Sequence, residues 1–308
     1  MAEPEDALPR MTLSEHLDEL RRRLVLSALA LGAAMLLAFF FYDPLWHFAV
    51  QPYKDALKAT GSPPSALQAI MPGEGFLQIL RLCFLVGLVA AGPLVIWQMW
   101  GFIAAGLYQH EKSAVRTYFP ISVLLFFMGM VAAYLLLIPF GLRFLISFDR
   151  QLDATTQYTI TAYFDICVKM VLAMGFLFEL PLVMLFFQAV GIVERATWIK
   201  GWKLAVVFAF IVGMLLTDPS PVTQIMMAMP VVGLYFLGIW GGRFVGENKE
   251  PFTIWKAWPL VVAVAVYALL IVERDRINDW SSRVFGGAPE EAPAEPDGAK
   301  PPETPEDR

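Results

Sequence analysis

The chain has 308 residues, of which 57% are hydrophobic and only 17% are charged. Soluble domains carry about 25% charged residues, so this deficit indicates a chain whose main solvent is lipid. The formal net charge of −5 arises in the acidic tail after Ala288. Because the remainder is close to neutral, the composition excludes the basic footprint of a nucleic-acid-binding protein.

Catalytic and metal-binding patterns are not found in the sequence. Cys83 and Cys167 lie inside apolar stretches, which favours small packing residues over a disulfide framework or a metal cluster. The histidines, His16, His47 and His110, lack metal-ligand spacing, and no glycine-rich phosphate loop is present. We therefore predict that the protein has no cofactor and is not an enzyme.

The first predicted element is an uncleaved membrane helix. A polar segment, 1–11, precedes leucines that recur at helical spacing, and Ser14 is a candidate N-cap. The apolar run that follows, 24–42, is 19 residues long. This is longer than the apolar core of a typical secretory signal peptide.

Six membrane spans are predicted within residues 12–246. A helix needs about 20 apolar residues to cross a bilayer, and four segments have that length: 24–42, 76–99, 118–138 and 163–189. Two further segments, Trp202–Leu216 and Ile225–Ile239, cover only about 22 Å each as helices. They either remain short and thin the bilayer or extend into their polar flanks, and the sequence leaves both readings open.

Prolines inside the predicted spans favour a curved bundle of helices. Pro93, Pro181 and Pro230 each remove a backbone donor, which invites a kink. Membrane helices tolerate such kinks where neighbouring helices satisfy the freed carbonyl groups. The predicted fold is therefore an all-α, polytopic membrane protein with a non-compact bundle.

The C-terminal region contains one more apolar run. Trp255–Val272 lies within the segment 247–286, and it is either a seventh span or a hairpin in the membrane interface. Lysines and arginines flank it on both sides, so charge does not decide between these readings. The tail, 287–308, is rich in Pro, Glu and Ala and is predicted to be disordered, because it cannot bury a core.

The distribution of lysine and arginine predicts the orientation. On the side of the N-terminus lie Arg10, Arg21, Arg22, Arg23, Lys112, Arg116, Arg195, Lys200, Lys203, Arg243, Lys249 and Lys256. On the other side lie Lys54, Lys58, Arg143 and Arg150. Cytoplasmic loops carry the excess of positive charge, so the N-terminus is predicted to be cytoplasmic.

Four charged residues within the spans are notable. Glu179 lies well inside the fourth span, where a carboxylate is expensive and is by default either functional or paired within the bundle. Asp165 and Lys169, four residues apart, are predicted to form an ion pair. Arg81, near the end of the second span, is predicted to extend outward to water.

Two carboxylates are predicted to share the cytoplasmic boundary of the membrane. Glu19 precedes the first apolar run, and Glu111 lies in the loop between the second and third spans, between His110 and Lys112. Such a pair can receive two guanidinium groups, because the arginine fork matches carboxylate geometry. The alternative is that each carboxylate pairs with a neighbouring Arg or Lys, and spacing alone favours this alternative.

Four motifs resemble the TatC family of the twin-arginine protein translocase. They are HLDELRRRL at 16–24, PLVIWQMWGFIAAGLYQHE at Pro93–Glu111, the FELP segment around Glu179, and VGMLLTDPSPVTQ at 212–224. They occur in the family's order and spacing, over residues 12–246. The resemblance implies six membrane helices in a cupped arrangement, of which the last two are short.

The resemblance also implies a function. Members of this family are receptors for twin-arginine signal peptides in the cytoplasmic (inner) membrane. They assemble into multimeric complexes with the single-span partners TatA and TatB. The proton-motive force drives the transport of folded proteins through these complexes. We therefore expect a protein-transport receptor without enzymatic activity.

The site residues follow from the same resemblance. Glu19 and Glu111 fall on the positions that recognise the paired arginines, and His110 and Lys112 flank Glu111. Glu179 falls on the buried polar position of the fourth helix. The remaining implied residues are a proline of the first external loop, Pro52, and the partner contacts Met214, Leu216, Thr217 and Gln224.

The sequence departs from the family pattern at one motif. The family usually has Pro-Pro-Asp after the threonine of the last motif, whereas this chain has Asp218-Pro219-Ser220. The acidic residue has therefore moved by two positions.

Two other classes of protein remain open from the residues alone, namely a purely structural scaffold and an ion-coupled secondary transporter that uses Glu179. The transporter predicts an internal repeat, and the two halves of the sequence show none.

Overall fold

The computed structural model describes residues 12–106, 112–152, 157–216 and 221–243. Within these ranges the chain is almost entirely helical, which confirms the predicted all-α fold. The helices are α1 (Leu13–Phe40), α2 (Tyr42–Ala59), α3 (Glu74–Ala105), α4 (Lys112–Ala132), α5 (Ile138–Gln151), α6 (Ile160–Leu177), α7 (Leu180–Ala189), α8 (Arg195–Lys200), α9 (Trp202–Leu216) and α10 (Pro221–Gly241). The predictions for segments 1–11, 247–286 and 287–308 lie outside the described residues.

Five stretches within the described residues are long and apolar enough to cross a membrane. They are Ser14–Phe40, Glu74–Ala105, Tyr118–Gln151, Ile160–Ala189 and Thr223–Gly241. Helix α9 is apolar but has only 15 residues. The protein is therefore a multi-pass membrane protein with one shorter apolar helix.

The two helices predicted to be short differ from each other. Helix α9 ends where its apolar run ends, so it covers about 22 Å. Helix α10 has 21 residues and covers about 31 Å, because it extends beyond the apolar run at both ends. It begins at Pro221, which is favourable because a proline in the first helical turn has no N–H to leave unsatisfied. The fifth span is thus short, and the sixth extends into its flanks.

The start of α1 is fixed by a capping box. The Thr12 hydroxyl accepts from the backbone N–H of Glu15, and the Glu15 carboxylate accepts from the backbone N–H of Thr12 at 2.8 Å. This reciprocal pair satisfies two backbone donors. The cap is therefore Thr12, and not Ser14 as predicted, because Thr12 has the extended backbone that an N-cap requires.

The membrane helices pack around α3, α4 and α6, which all contact one another. At one edge α1 packs chiefly on α3, and a Cβ atom added to Gly87 of α3 would lie 2.9 Å from the backbone nitrogen of Met35. Glycine at this position therefore permits the close approach of the two helices. Helix α3 packs on α4 and α6, α7 packs on α10, and α10 packs on α9 at the other edge.

The bundle has two ends, which we name by the path of the chain. The proximal end contains the start of α1 and the end of α3, and the distal end contains the end of α1 and the starts of α3 and α6. At the distal end an isolated parallel bridge joins Gln68 to Thr159. A π-helical turn, Ala133–Leu137, joins α4 to α5 within the third span.

Candidate functional site

Glu19 lies at the proximal end, two turns from the start of α1. Its Oε1 atom accepts from Nε of Arg23 at 2.7 Å and lies 2.5 Å from Nη2 of the same guanidinium. Both side chains are 22% exposed. Residues four apart on a helix are neighbours, so the sequence had offered this pairing as one of its two alternatives. The structure contains the intramolecular pair.

The Arg23 guanidinium is also held by α3. Its Nη1 atom donates to Oε1 of Gln98 at 3.2 Å and to the backbone carbonyl of Gln98 at 3.4 Å. A Cβ atom at position 101 would lie only 2.7 Å from Cζ of Arg23. Gly101 therefore leaves the space that the guanidinium occupies. This position of the Arg23 guanidinium was not predicted from the sequence, because the residues that form it are more than 70 positions apart.

The N-terminal part of α1 lies beside the loop that carries the second predicted carboxylate. The ring of His16 stacks on Phe102 with centroids 4.3 Å apart, and it approaches Gly106, the last described residue before the loop. Glu111 and His110 lie outside the described residues, and Lys112 begins α4 with no side chain described. The pairing of Glu19 with Glu111 therefore stays a prediction.

Glu179 lies at a break inside the fourth span. Helix α6 ends at Leu177 and α7 begins at Leu180, with Pro181 in its first turn. A proline cannot donate to the carbonyl four residues earlier, and its ring clashes with that carbonyl, so the helix breaks at this point. The break places Glu179 in the bundle interior, where it is buried.

The Glu179 carboxyl has one partner in the described part of the chain. The hydroxyl of Ser122, on α4, donates to its Oε2 at 2.7 Å. Its Oε1 atom is buried and has no hydrogen bond among the described residues. An unpaired buried oxygen of this kind is costly, so Glu179 is a polar group held inside the bundle at a cost, and its functional role stays a prediction.

Pro52 lies inside α2, at the distal end, and is buried. A proline leaves the carbonyl four residues earlier without a helical donor, and that carbonyl belongs to Phe48. The hydroxyl of Tyr134, in the π-helical turn, donates to it at 2.6 Å. The hydroxyl of Tyr163, on α6, donates to the adjacent carbonyl of Ala49 at 2.6 Å. Pro52 thus marks the place where α2 is joined to the bundle.

The predicted partner contacts lie where α9 and α10 meet at the distal end. Met214 is exposed, Leu216 is partly buried against the core, and Thr217 lies outside the described residues. The amide of Gln224 donates from Nε2 to the backbone carbonyl of Phe210 at 3.1 Å. Gln224 therefore joins α10 to α9, and the contact of these residues with partner chains stays a prediction.

The predicted ion pair of Asp165 with Lys169 is wrong. Asp165 instead forms a salt bridge with Nη1 of Arg81 on α3, which had been predicted to extend outward to water. The reason is that α3 and α6 pack side by side, so a side chain on the neighbouring helix lies as near as one on the next turn. The pair lines a groove of about 460 Å³ together with Lys169.

Glu74 is a structural residue that was not predicted from the sequence. Its carboxylate accepts from the backbone N–H groups of Ile70, at 2.7 Å, and Met71, at 3.2 Å. It also accepts from the N–H of Thr161, in the first turn of α6, at 3.0 Å. Glu74 therefore ties the distal loop to the starts of α3 and α6. The acidic residue directly after Gly73 was the sequence signal that could have indicated a cap at the start of α3.

Comparison with known proteins identifies the family. The family model described as Sec-independent protein translocase protein (TatC) matches residues 15–230. A TatC from Magnetococcus marinus is 33% identical over 244 residues, which are 79% of this chain and 88% of the relative. A TatC from Aquifex aeolicus is 32% identical over 241 residues, which are 78% of this chain and 98% of the relative.

A solved structure supports the same conclusion for the fold. A crystal structure described as the twin arginine translocase receptor TatC superposes with a TM-score of 0.67 and 31% sequence identity, and the match covers 75% of this chain and 99% of that one. This confirms the predicted fold. The relatives named here are translocase proteins, and they give no support to a transporter of small solutes. The chain belongs to the TatC family of Sec-independent protein translocase proteins.

Proposed function

We propose that this chain is the receptor and core subunit of a twin-arginine translocase. It binds the twin-arginine signal peptides of folded cargo proteins and supports their transport, driven by the proton-motive force, across the cytoplasmic membrane. It has no enzymatic activity of its own. Membership of a translocase family supports this proposal, as does the likeness to a solved structure described as a twin-arginine translocase receptor.

One observation carries the proposal at the level of chemistry. The Glu19 carboxylate binds a guanidinium group, that of Arg23, at the proximal end of α1. The site therefore already has the geometry and partial burial that recognition of an arginine requires, since charge-assisted hydrogen bonds strengthen as water is excluded. A signal-peptide arginine would occupy the same position against Glu19.

Glu111 supplies the second carboxylate for the second arginine in this proposal, with His110 and Lys112 beside it. The contact of His16 with Phe102 and Gly106 supports it, because it holds α1 against the base of the loop that carries Glu111. Two carboxylates near each other favour two guanidinium groups over one. Lysines would bind less well, since an ammonium is a compact point charge without a fork.

The remaining parts of the proposal concern orientation and partners. The excess of Lys and Arg on the proximal side supports a cytoplasmic N-terminus, with the signal peptide arriving from the cytoplasm. Met214, Leu216, Thr217 and Gln224 form the contact with TatA- and TatB-type subunits at the distal end. The exposed apolar surface of α9 supports this assignment. Glu179 offers its unpaired Oε1 atom to a polar group of a neighbouring helix in the assembled complex.

Site-specific photo-cross-linking tests the proposal. A photoreactive amino acid at position 109, two residues before Glu111, is combined with a signal peptide that contains Arg-Arg or with its Lys-Lys version. We expect strong cross-linking to the Arg-Arg peptide alone, and its loss in Glu19→Ala and Glu111→Ala. The same probe at the exposed Phe41, at the distal end of α1, is the control position.

Equal cross-linking of the two peptides at position 109, in protein that is folded in the membrane, would contradict the receptor assignment. Export that resists both Glu111→Ala and Glu179→Ala would instead favour a structural scaffold.

A further inference from the structure

We propose that Arg23 is an internal competitor that occupies the Glu19 site until a signal-peptide arginine displaces it. Arg23 would thereby lower the apparent affinity of the site for any incoming cation. This inference rests on the proposed function, because it assigns a resting occupant to the same site. It is carried by the contacts of the guanidinium with Glu19 on one side and Gln98 on the other.

The geometry is that of a bound ligand. Nε and Nη2 of Arg23 both approach Oε1 of Glu19, at 2.7 and 2.5 Å, and Nη1 donates to both oxygens of Gln98. A surface ion pair within one helix does not require hydrogen-bonding partners on a second helix. Here α3 provides such partners at Gln98, and Gly101 leaves the space that the guanidinium occupies. Glycine inside a helix costs about 1 kcal/mol relative to alanine, so its presence is consistent with a need for that space.

The occupant can leave without disrupting the fold. Arg23 is 22% exposed, and its long side chain can turn outward to the water that surrounds Arg22, which is exposed on the same helix. The backbone of α1 does not have to move, because α1 is fixed by its capping box at Thr12 and by the close approach of Gly87 to Met35. Exchange therefore requires only a change of side-chain conformation.

Competition of this kind weakens the binding of any incoming cation. With Arg23 in place, an incoming group must first displace this guanidinium from Glu19, so its apparent affinity is reduced by the fraction of molecules in which the site is free. This factor is the same for an arginine and for a lysine. The preference for arginine then arises from the planar fork of the incoming guanidinium, which a lysine ammonium lacks.

Two substitutions weaken the occupant by different means. Arg23→Gln removes the guanidinium and its charge. Arg23→Lys keeps the charge but removes the fork that contacts both Glu19 and Gln98. The matched controls are Arg22→Gln and Arg22→Lys, which make the same changes at an exposed neighbour.

The measurement is the affinity of the full-length protein in lipid nanodiscs for a signal peptide with Arg-Arg and for its Lys-Lys version. Arg23→Gln should bind the Arg-Arg peptide more tightly than wild type, by about threefold to fivefold, the range of a partly exposed ion pair, and Arg23→Lys should show a smaller gain. The Lys-Lys peptide should gain by the same factor in each variant, because the competitor is removed for both peptides. The two controls should retain the wild-type affinities.

The possible failures are distinguishable. If the wild-type protein does not prefer the Arg-Arg peptide, the proposed function itself fails. If the wild-type protein does prefer it, but Arg23→Gln weakens binding or leaves it unchanged, Arg23 is a structural or positioning residue and the competitor proposal is overturned. An equal gain in Arg22→Gln would also overturn it, because the effect would then be one of net charge.

Discussion

At the scale of single residues, this bundle satisfies polar oxygens through side chains on neighbouring helices. The Phe48 carbonyl, which Pro52 leaves without a helical donor, receives the hydroxyl of Tyr134. The buried Glu179 carboxyl receives the hydroxyl of Ser122. A hydrogen bond typically contributes about 1 kcal/mol and an unsatisfied buried polar group costs about 1–3 kcal/mol, so both contacts should be measurable by substitution.

The first prediction concerns Pro52 and Tyr134. We expect Tyr134→Phe to lower the free energy of unfolding by about 1 kcal/mol, because the Phe48 carbonyl then loses its donor. In a Pro52→Ala background the cost should be smaller, since the introduced alanine supplies the helical N–H. Unfolding by denaturant in mixed micelles measures this double-mutant cycle, with Tyr42→Phe as an exposed control. Equal costs in the two backgrounds would show that the hydroxyl serves another purpose.

The second prediction concerns Ser122. We expect Ser122→Ala to lower the free energy of unfolding by about 1–3 kcal/mol, because the Glu179 carboxyl loses its one described donor. Ser147→Ala is the matched control, since Ser147 is also buried but donates within its own helix, to the carbonyl of Phe144 at 2.8 Å. If the two substitutions have the same effect in the same unfolding assay, Glu179 is satisfied by some other group.

Individual residues were predictable only where their chemistry conflicts with an apolar setting. Glu19 and Glu179 stand out in the sequence because carboxylates are expensive near lipid. Their partners do not stand out. Ser122 lies 57 positions from Glu179, and Gln98 lies 75 positions from Arg23, so only the packing of the helices brings them together. The incorrect pairing of Asp165 with Lys169 has the same origin.

At the scale of elements, the length of a helix does not always match the length of the apolar run in its sequence. Helix α9 ends with its apolar run, whereas α10 extends beyond it. The two helices approach closely at the distal end. A Cβ atom added to Gly213 of α9 would lie 3.0 Å from the backbone carbonyl oxygen of Gln224. This contact fixes how the last two spans are paired, and spacing in the sequence does not reveal it.

The third prediction concerns this close approach. We expect Gly213→Ala to lower the free energy of unfolding by about 1–3 kcal/mol, the usual range for overpacking, because a backbone oxygen cannot give way as a side chain can. Gly233→Ala on α10 is the control, since a Cβ atom there meets nothing within 4 Å. Both variants are compared by thermal unfolding in detergent. A neutral Gly213→Ala would mean that α9 can move away from α10 at little cost.

At the scale of the whole molecule, the arrangement of the helices follows from the sequence only in outline. The spans of the described residues, their order and the family were predictable, because apolar length and motif order are local properties of the chain. The edges were not. That α1 packs chiefly on α3, while α9 packs on α10, depends on Gly87 and Gly213, whose neighbours are distant in sequence.

The fourth prediction concerns the apolar run Trp255–Val272, which follows the sixth span. We expect this run to cross the membrane, because it has 18 residues and tryptophans at its start. The C-terminus would then lie on the side opposite the N-terminus. Reporters fused after Arg243 and after Arg308 should therefore indicate opposite sides. If both indicate the cytoplasm, the run lies in the interface as a hairpin.

The export of a folded reporter tests the central claim most directly. In cells from which this gene alone has been deleted, a fluorescent protein with a twin-arginine signal is followed after the wild-type chain or a variant is restored. The receptor role predicts that the wild type restores export with the Arg-Arg signal and not with Lys-Lys, and that Glu19→Ala at equal membrane abundance does not restore it. Equal export with both signals, or full export by Glu19→Ala, would contradict the role of Glu19 as the arginine receptor.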